Sequence, residues 1–150
     1  MAFKQQLDND LKAALLGGDR FRVDVLRGLK AAILNEEVAK GKRDEGLDDA
    51  AIEQLISREV KKRFDSAEQY AAAERLELAN AERKEAAVLE AYLPEKISES
   101  DLQIIIDAVI AELGAAGPQA MGQVMGAVKA KVGASADGAT LARLVKQALS

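Results

Sequence analysis

The chain has 150 residues and a formal net charge of −4. It contains no Cys and no His, which excludes disulfides, thiolate nucleophiles, sulfur-based zinc sites and any Ser-His-Asp or Cys-His arrangement. Alanine supplies 29 of the 73 apolar residues and proline occurs twice, a composition that favours helix throughout and allows one domain or two small helical subdomains.

Seven helical stretches follow from the spacing of apolar residues. Phe3, Leu7, Leu11, Ala14 and Leu15 form the first stripe, which ends at Gly17-Gly18. Asp19 caps a second helix whose expected buried face is Phe21, Val25, Leu29, Ala32 and Ile33. Gly41 and Gly46 bracket a polar loop. Asp48 or Asp49 then starts a third helix with Ile52, Leu55, Ile56, Val60, Phe64, Ala67 and Ala71 inward. A fourth carries Leu76, Ala79, Ala86, Leu89 and Leu93. A glycine is expected at a helix break, and Ala73-Glu74-Arg75 has none, so the third and fourth stretches read equally as one helix or two.

Pro94 stops the helical region, because proline lacks an N–H and disfavours helix in the residue before it. Ser98 caps the fifth helix, on which Leu102, Ile105, Ile106, Val109, Ile110 and Leu113 follow an amphipathic pattern up to Gly114. Met121, Val124, Met125, Val128 and Val132 line the sixth. Asp137 caps the seventh, with Leu141, Leu144, Val145 and Ala148 inward. The expected architecture is all-α: a multi-helix body over residues 1–93, a boundary at Leu93–Ile97, and a three-helix unit over residues 98–150.

Nothing reads as a signal peptide, and the run Ile104-Ile105-Ile106 is far short of a membrane span. The expectation is a soluble cytoplasmic protein with no membrane partner.

Charge is unevenly placed. Residues 1–114 carry 24 acids and 17 bases, whereas residues 115–150 carry Asp137 against Lys129, Lys131, Arg143 and Lys146. A basic end on an acidic body can grip an anionic surface that the body repels. Gly133-Ala134-Ser135, flanked by those four cations, precedes a helix start where phosphate can sit, although the cap Asp137 already occupies part of it. In the body, Arg27 and Lys30 share a helix side with Arg20, and Lys61, Lys62 and Arg63 follow Arg58. Such groups suit phosphates and equally suit i,i+4 ion pairs. Gly122 and Gly126 stand at G-x-x-x-G spacing. Each costs ~1 kcal/mol relative to Ala inside a helix, which suggests close approach by another backbone, from an internal helix by preference or from an external ligand.

Carboxylates are plentiful, yet Glu36-Glu37, Asp48-Asp49 and Glu82/Glu85 read as caps and ion pairs, and no Glu-x-x-His pair exists for a di-metal site. No nucleophile–base pair can be assembled. No catalytic residue, metal or cofactor is expected.

The segment Met121-Gly122-Gln123-Val124-Met125-Gly126, then Gly133, Ala136-Asp137-Gly138 and Leu144-Val145, resembles the YqeY-type family and the tail domain of the B subunit of glutamine-dependent aminoacyl-tRNA amidotransferases. So do Leu26-Arg27-Gly28-Leu29-Lys30-Ala31-Ala32-Ile33, Lys61-Lys62-Arg63-Phe64-Asp65-Ser66-Ala67 and Tyr92-Leu93-Pro94. Ser135 departs from the pattern, which tends to place a base before the Ala-Asp-Gly. The resemblance implies a free-standing module that binds tRNA or a tRNA–enzyme complex, with Lys129, Lys131, Arg143 and Lys146 on phosphates, helped by Arg27, Lys30, Lys61, Lys62 and Arg63. The carbon–nitrogen ligase chemistry of the amidotransferase belongs to the whole enzyme. This chain lacks the amidase domain and shows no phosphate-binding loop for ATP. The alternative is an interaction module that docks on an amidotransferase or aminoacyl-tRNA synthetase through apolar helix faces.

Overall fold

The computed structural model describes residues 2–150. They form seven α-helices and two short 3-10 turns, with no strand among them, so the fold is all-α. Four of the seven helix starts are set by side-chain caps. Asp19, Asp48, Ser98 and Asp137 accept from the backbone N–H of Arg22, Ala51, Asp101 and Thr140, satisfying donors that a helix cannot pair internally.

The chain divides into a first unit that runs to Leu93 and a second, Pro94–Ser150. The first holds α1 (Ala2–Leu16), α2 (Arg20–Ala39), α3 (Asp49–Ala72) and α4 (Leu76–Glu90). Helices α1 and α2 pair across the Gly17-Gly18 turn, and α3 and α4 form the most extensive helix–helix contact. One core draws on all four: Leu7, Val25, Leu26, Leu29, Ile33, Ile52, Leu55, Ile56, Val60, Ala86 and Leu89, with Leu47 and Tyr92.

The third and fourth stretches are separate helices. Glu74 adopts φ 62° between them, the left-handed turn that glycine would supply at lower cost. An Arg63–Glu85 ion pair at 3.4 Å links the two arms of the resulting antiparallel hairpin. Beyond Val60 and Ala86 the four-helix core stops. The distal hairpin buries only Ala67 and Ala79, small residues that let two helices lie close.

Several residues expected inward face water. Phe64 is 40% exposed and Leu76 62%, because no third helix covers the distal hairpin. Phe21 (42%) and Leu15 (51%) flank the α1–α2 turn, and the α2 core is carried instead by Val23, Val25, Leu26, Leu29 and Ile33. Leu113 is exposed in the last turn of the fifth helix.

The second unit packs α5 (Glu99–Leu113), α6 (Met121–Val132) and α7 (Gly138–Leu149) in mutual contact. Leu102, Ile106, Val109, Val124, Val128, Val132, Leu141, Leu144, Val145 and Leu149 form its core. Gly114 ends α5 in the left-handed conformation (φ 59°), and Gly117-Pro118 starts the 3-10 turn into α6. The Ile97 N–H donates to Ser135 C=O at 2.8 Å, so the entry segment is tied to the turn after α6. No single helix among the described residues is long and apolar enough to cross a membrane.

Candidate nucleic-acid interface

Cations can bind phosphate only where carboxylates leave them free, so the pairing of each base decides what the surface can do. In the second unit Arg143 on α7 is hydrogen-bonded to Glu99, and Lys131 on α6 lies 3.5 Å from Glu112. Both acids belong to α5. Counted from Pro94, this unit has six acids and five bases, so the excess of positive charge seen beyond Gly114 is offset once α5 folds against it. Lys129 and Lys146 remain exposed, with no carboxylate within 4 Å among the described residues.

The anion cradle expected at Gly133-Ala134-Ser135 is largely occupied. These residues form a 3-10 turn with Ala134 buried, and Ser135 C=O is engaged by Ile97. Asp137 accepts from both the backbone N–H and the hydroxyl of Thr140 at 3.1 Å, which fills the start of α7 with the chain's own carboxylate.

Gly122 and Gly126 do not serve close packing within the unit. A Cβ built on either would meet nothing within 4 Å, so the expectation of an internal helix lying against them is corrected. With Lys129 and Gly133 they fall at i, i+4, i+7 and i+11, one stripe of α6 and its cap turned away from the core formed by Val124, Val128 and Val132.

In the first unit Lys30 pairs with Asp8 at 2.7 Å, across the α1–α2 hairpin. Lys62 is 3.9 Å from Glu59. Arg63 reaches Glu59 at 3.0 Å as well as Glu85, so its guanidinium braces α3 on α4. Arg27 and Lys61 are exposed and have no such partner. Arg27 lines a groove of about 270 Å³ with Arg20 and Asp24 beside the α1–α2 turn.

A second groove, about 340 Å³, lies between α1 and α2 over Leu7, Ile33 and Leu34. At its edge Glu37 is almost fully covered, under Lys4 and the loop that leads to α3 and not deep in the core. The carboxylate takes a hydrogen bond from Lys4 and one from the Leu47 N–H at 2.8 Å. Above all the Lys4 contact holds its carboxyl below the usual range; covering opposes this and the Leu47 bond adds to it. This acid fixes a loop. Among the described residues no group of three or more carboxylates is arranged for a metal ion.

Sequence reading missed two features. The acids of α5 that neutralise Lys131 and Arg143 are distant in the chain, and helical spacing carries no signal for such pairs. Phe64 continues the apolar stripe of the third helix, yet Lys61, Lys62 and Arg63 just before it are a local sign of a surface.

The family model for YqeY-like proteins matches residues 4–149. The chain is also similar to a Lachancea thermotolerans protein called altered inheritance of mitochondria protein 41, mitochondrial, with 31% identity over 115 residues. That match covers 75% of this chain and 60% of the relative's length. The helical architecture, the motifs on α2, α3 and α6, and a family match over nearly every residue agree: the chain belongs to the YqeY-like family.

Proposed function

We propose that this protein is a non-catalytic RNA-binding accessory module, with tRNA, free or held by an enzyme, as its ligand. One observation carries the reading: Gly122, Gly126, Lys129 and Gly133 make an open stripe with a free cation and no internal neighbour over the α6 glycines. Glycines that weaken a helix and serve no packing inside the fold suit a sugar–phosphate backbone lying close to the helix, with Lys129 to meet its charge. Lys146, Arg27 and Lys61 add further unpaired cations. The resemblance of α6 and α7 to the amidotransferase tail supports tRNA as the RNA.

Filter binding of bulk tRNA across a salt series tests this. Four free cations on phosphates give a slope of log K against log salt of roughly −3 to −4. Lys129→Glu should weaken binding about tenfold, and Lys131→Glu, whose lysine already faces Glu112, should weaken it less. Absence of binding at low salt sinks the proposal.

Exposed Leu15 and Leu16 (83%) at the end of α1 favour a second reading, a module that docks on an amidotransferase or tRNA synthetase. Co-purification that survives ribonuclease and ignores salt would select it over the first.

A further inference from the structure

The turn between α1 and α2 gathers exposed apolar side chains and unpaired cations. Leu15 is 51% exposed, Leu16 83% and Phe21 42%, so three of the ten large apolar side chains that face water among the described residues fall within seven positions. Arg20 and Arg27 line one groove with Leu15, Gly18 and Val23. The groove's single acid, Asp24, lies within 4 Å of neither arginine. Lys12, one helical turn before Leu16, also has no carboxylate that close among the described residues. The other nearby acid, Asp19, is engaged as the cap of α2, accepting from the Arg22 N–H at 3.1 Å. Residues 12–27 carry four bases against two acids, whereas residues 1–93 as a whole carry 16 bases against 19 acids.

We infer that this turn docks on a bilayer surface rich in anionic phospholipid, with Leu15, Leu16 and Phe21 entering at the acyl boundary and Lys12, Arg20 and Arg27 holding lipid phosphates. Depth supports the match. At a rise of about 1.5 Å per residue, Lys12 stands about 6 Å behind Leu16 along α1, and Arg27 about 9 Å behind Phe21 along α2. Interfacial segments bury their apolar side about 5–10 Å into the boundary between headgroups and acyl chains, so a tip at that depth leaves those cations among the phosphates. Arg20, nearer the tip, reaches back to them along its apolar stem. An RNA backbone would use the cations and leave the leucines in water, and an apolar protein patch would cover the leucines and leave the arginines unmet. No single described helix is long and apolar enough to cross a membrane, so the mode is insertion of a turn. The inference goes beyond the RNA-binding reading and gives Leu15 and Leu16 a lipid occupant in place of an enzyme.

The chain has no Trp, so Phe21→Trp places a single tryptophan at the turn. Vesicles of phosphatidylserine with phosphatidylcholine should shift its emission to the blue, and lipids brominated near the headgroup end of their acyl chains should quench it. Phosphatidylcholine alone should do neither. In cosedimentation, Leu16→Ser should weaken binding to the mixed vesicles about tenfold. Its thermal midpoint and tRNA binding should stay unchanged, because that side chain is 83% exposed. Lys12→Gln with Arg20→Gln should weaken vesicle binding about fivefold per cation removed. Chloride and inorganic phosphate at equal ionic strength should displace the protein equally, which separates a lipid surface from a site for free phosphate.

Equal binding to neutral and anionic vesicles, no quenching by brominated lipid, or full-strength binding by Leu16→Ser overturns the inference. Displacement by inorganic phosphate well beyond that by chloride overturns it too, since the arginines then hold a free anion. If vesicles fail to bind while tRNA binds, the lipid surface falls and the RNA-binding reading stands. If vesicles bind while tRNA does not, the reverse holds.

Discussion

The Tyr92 hydroxyl donates to Asp10 Oδ2 at 2.6 Å, joining the segment after α4 to the middle of α1 across most of the first unit's length. The ring belongs to the core while the oxygen reaches the edge, so one residue both packs and ties the end of α4 to α1. Burial first, then the Asp10 carboxylate, push the phenol above its ordinary value near 10, against a smaller opposing pull from Arg22.

That shift has a defined sign. The folded state holds the phenolic proton more tightly than the unfolded chain, so the contribution is whole below about pH 10 and fades as pH rises above it. Tyr92→Phe should cost about 1 kcal/mol at pH 7. Urea midpoints at pH 7 and pH 11 should show a smaller gap between wild type and variant at the higher value. Equal midpoints at pH 7 would mean that the bond contributes nothing.

Glu37 gives the opposite dependence. Its folded carboxyl sits below the unfolded value of about 4.5, so its contribution is complete above that pH and is lost as acid titrates the folded group. Glu37→Gln keeps an acceptor for the Leu47 N–H and loses the charge that Lys4 meets. The expected loss is about 1–2 kcal/mol at neutral pH, shrinking toward pH 3, read from denaturant midpoints. Amide exchange at Leu47 should rise in step, because that N–H is held by this carboxylate.

Three glycines in helix interiors are open to replacement. Gly28, Gly122 and Gly126 have nothing within 4 Å of an added Cβ. Each change to Ala should stabilise by about 0.5–1 kcal/mol, seen as a higher thermal midpoint. Gly126→Leu should keep the fold and weaken tRNA binding, because bulk on that stripe holds a phosphate backbone away. A leucine variant with undiminished affinity would remove the stripe from the interface.

Glu74 pays a conformational cost at φ 62°. Glu74→Gly should therefore stabilise the first unit by up to about 1 kcal/mol, even though glycine frees the unfolded chain. A lower midpoint would show that the Glu74 side chain makes a contribution larger than the backbone strain.

Local signals were legible. Asp19, Asp48, Ser98 and Asp137 marked helix starts in the sequence, because a cap bonds a backbone group only a few residues away. Pro94 and Gly114 marked ends for equally local reasons. The α3–α4 break was ambiguous, because a glutamate occupies a conformation that sequence patterns assign to glycine. Phe21, Phe64 and Leu76 lie on apolar stripes yet face water, because spacing shows where a stripe runs and says nothing about whether another helix covers it. The candidate site was legible as residue types: the positions of Lys129, Lys61 and Gly126 are plain in the chain.

The amino-acid sequence alone therefore determined the helical class, most helix boundaries and the family, since propensity, capping and apolar period act over a few residues. Tertiary structure alone decided which cations are free. Lys131 and Arg143 meet Glu112 and Glu99, more than ten residues away in the chain, while Lys129 and Lys146 meet no carboxylate. Charge neutralisation depends on distance in space, and only packing brings distant side chains within reach.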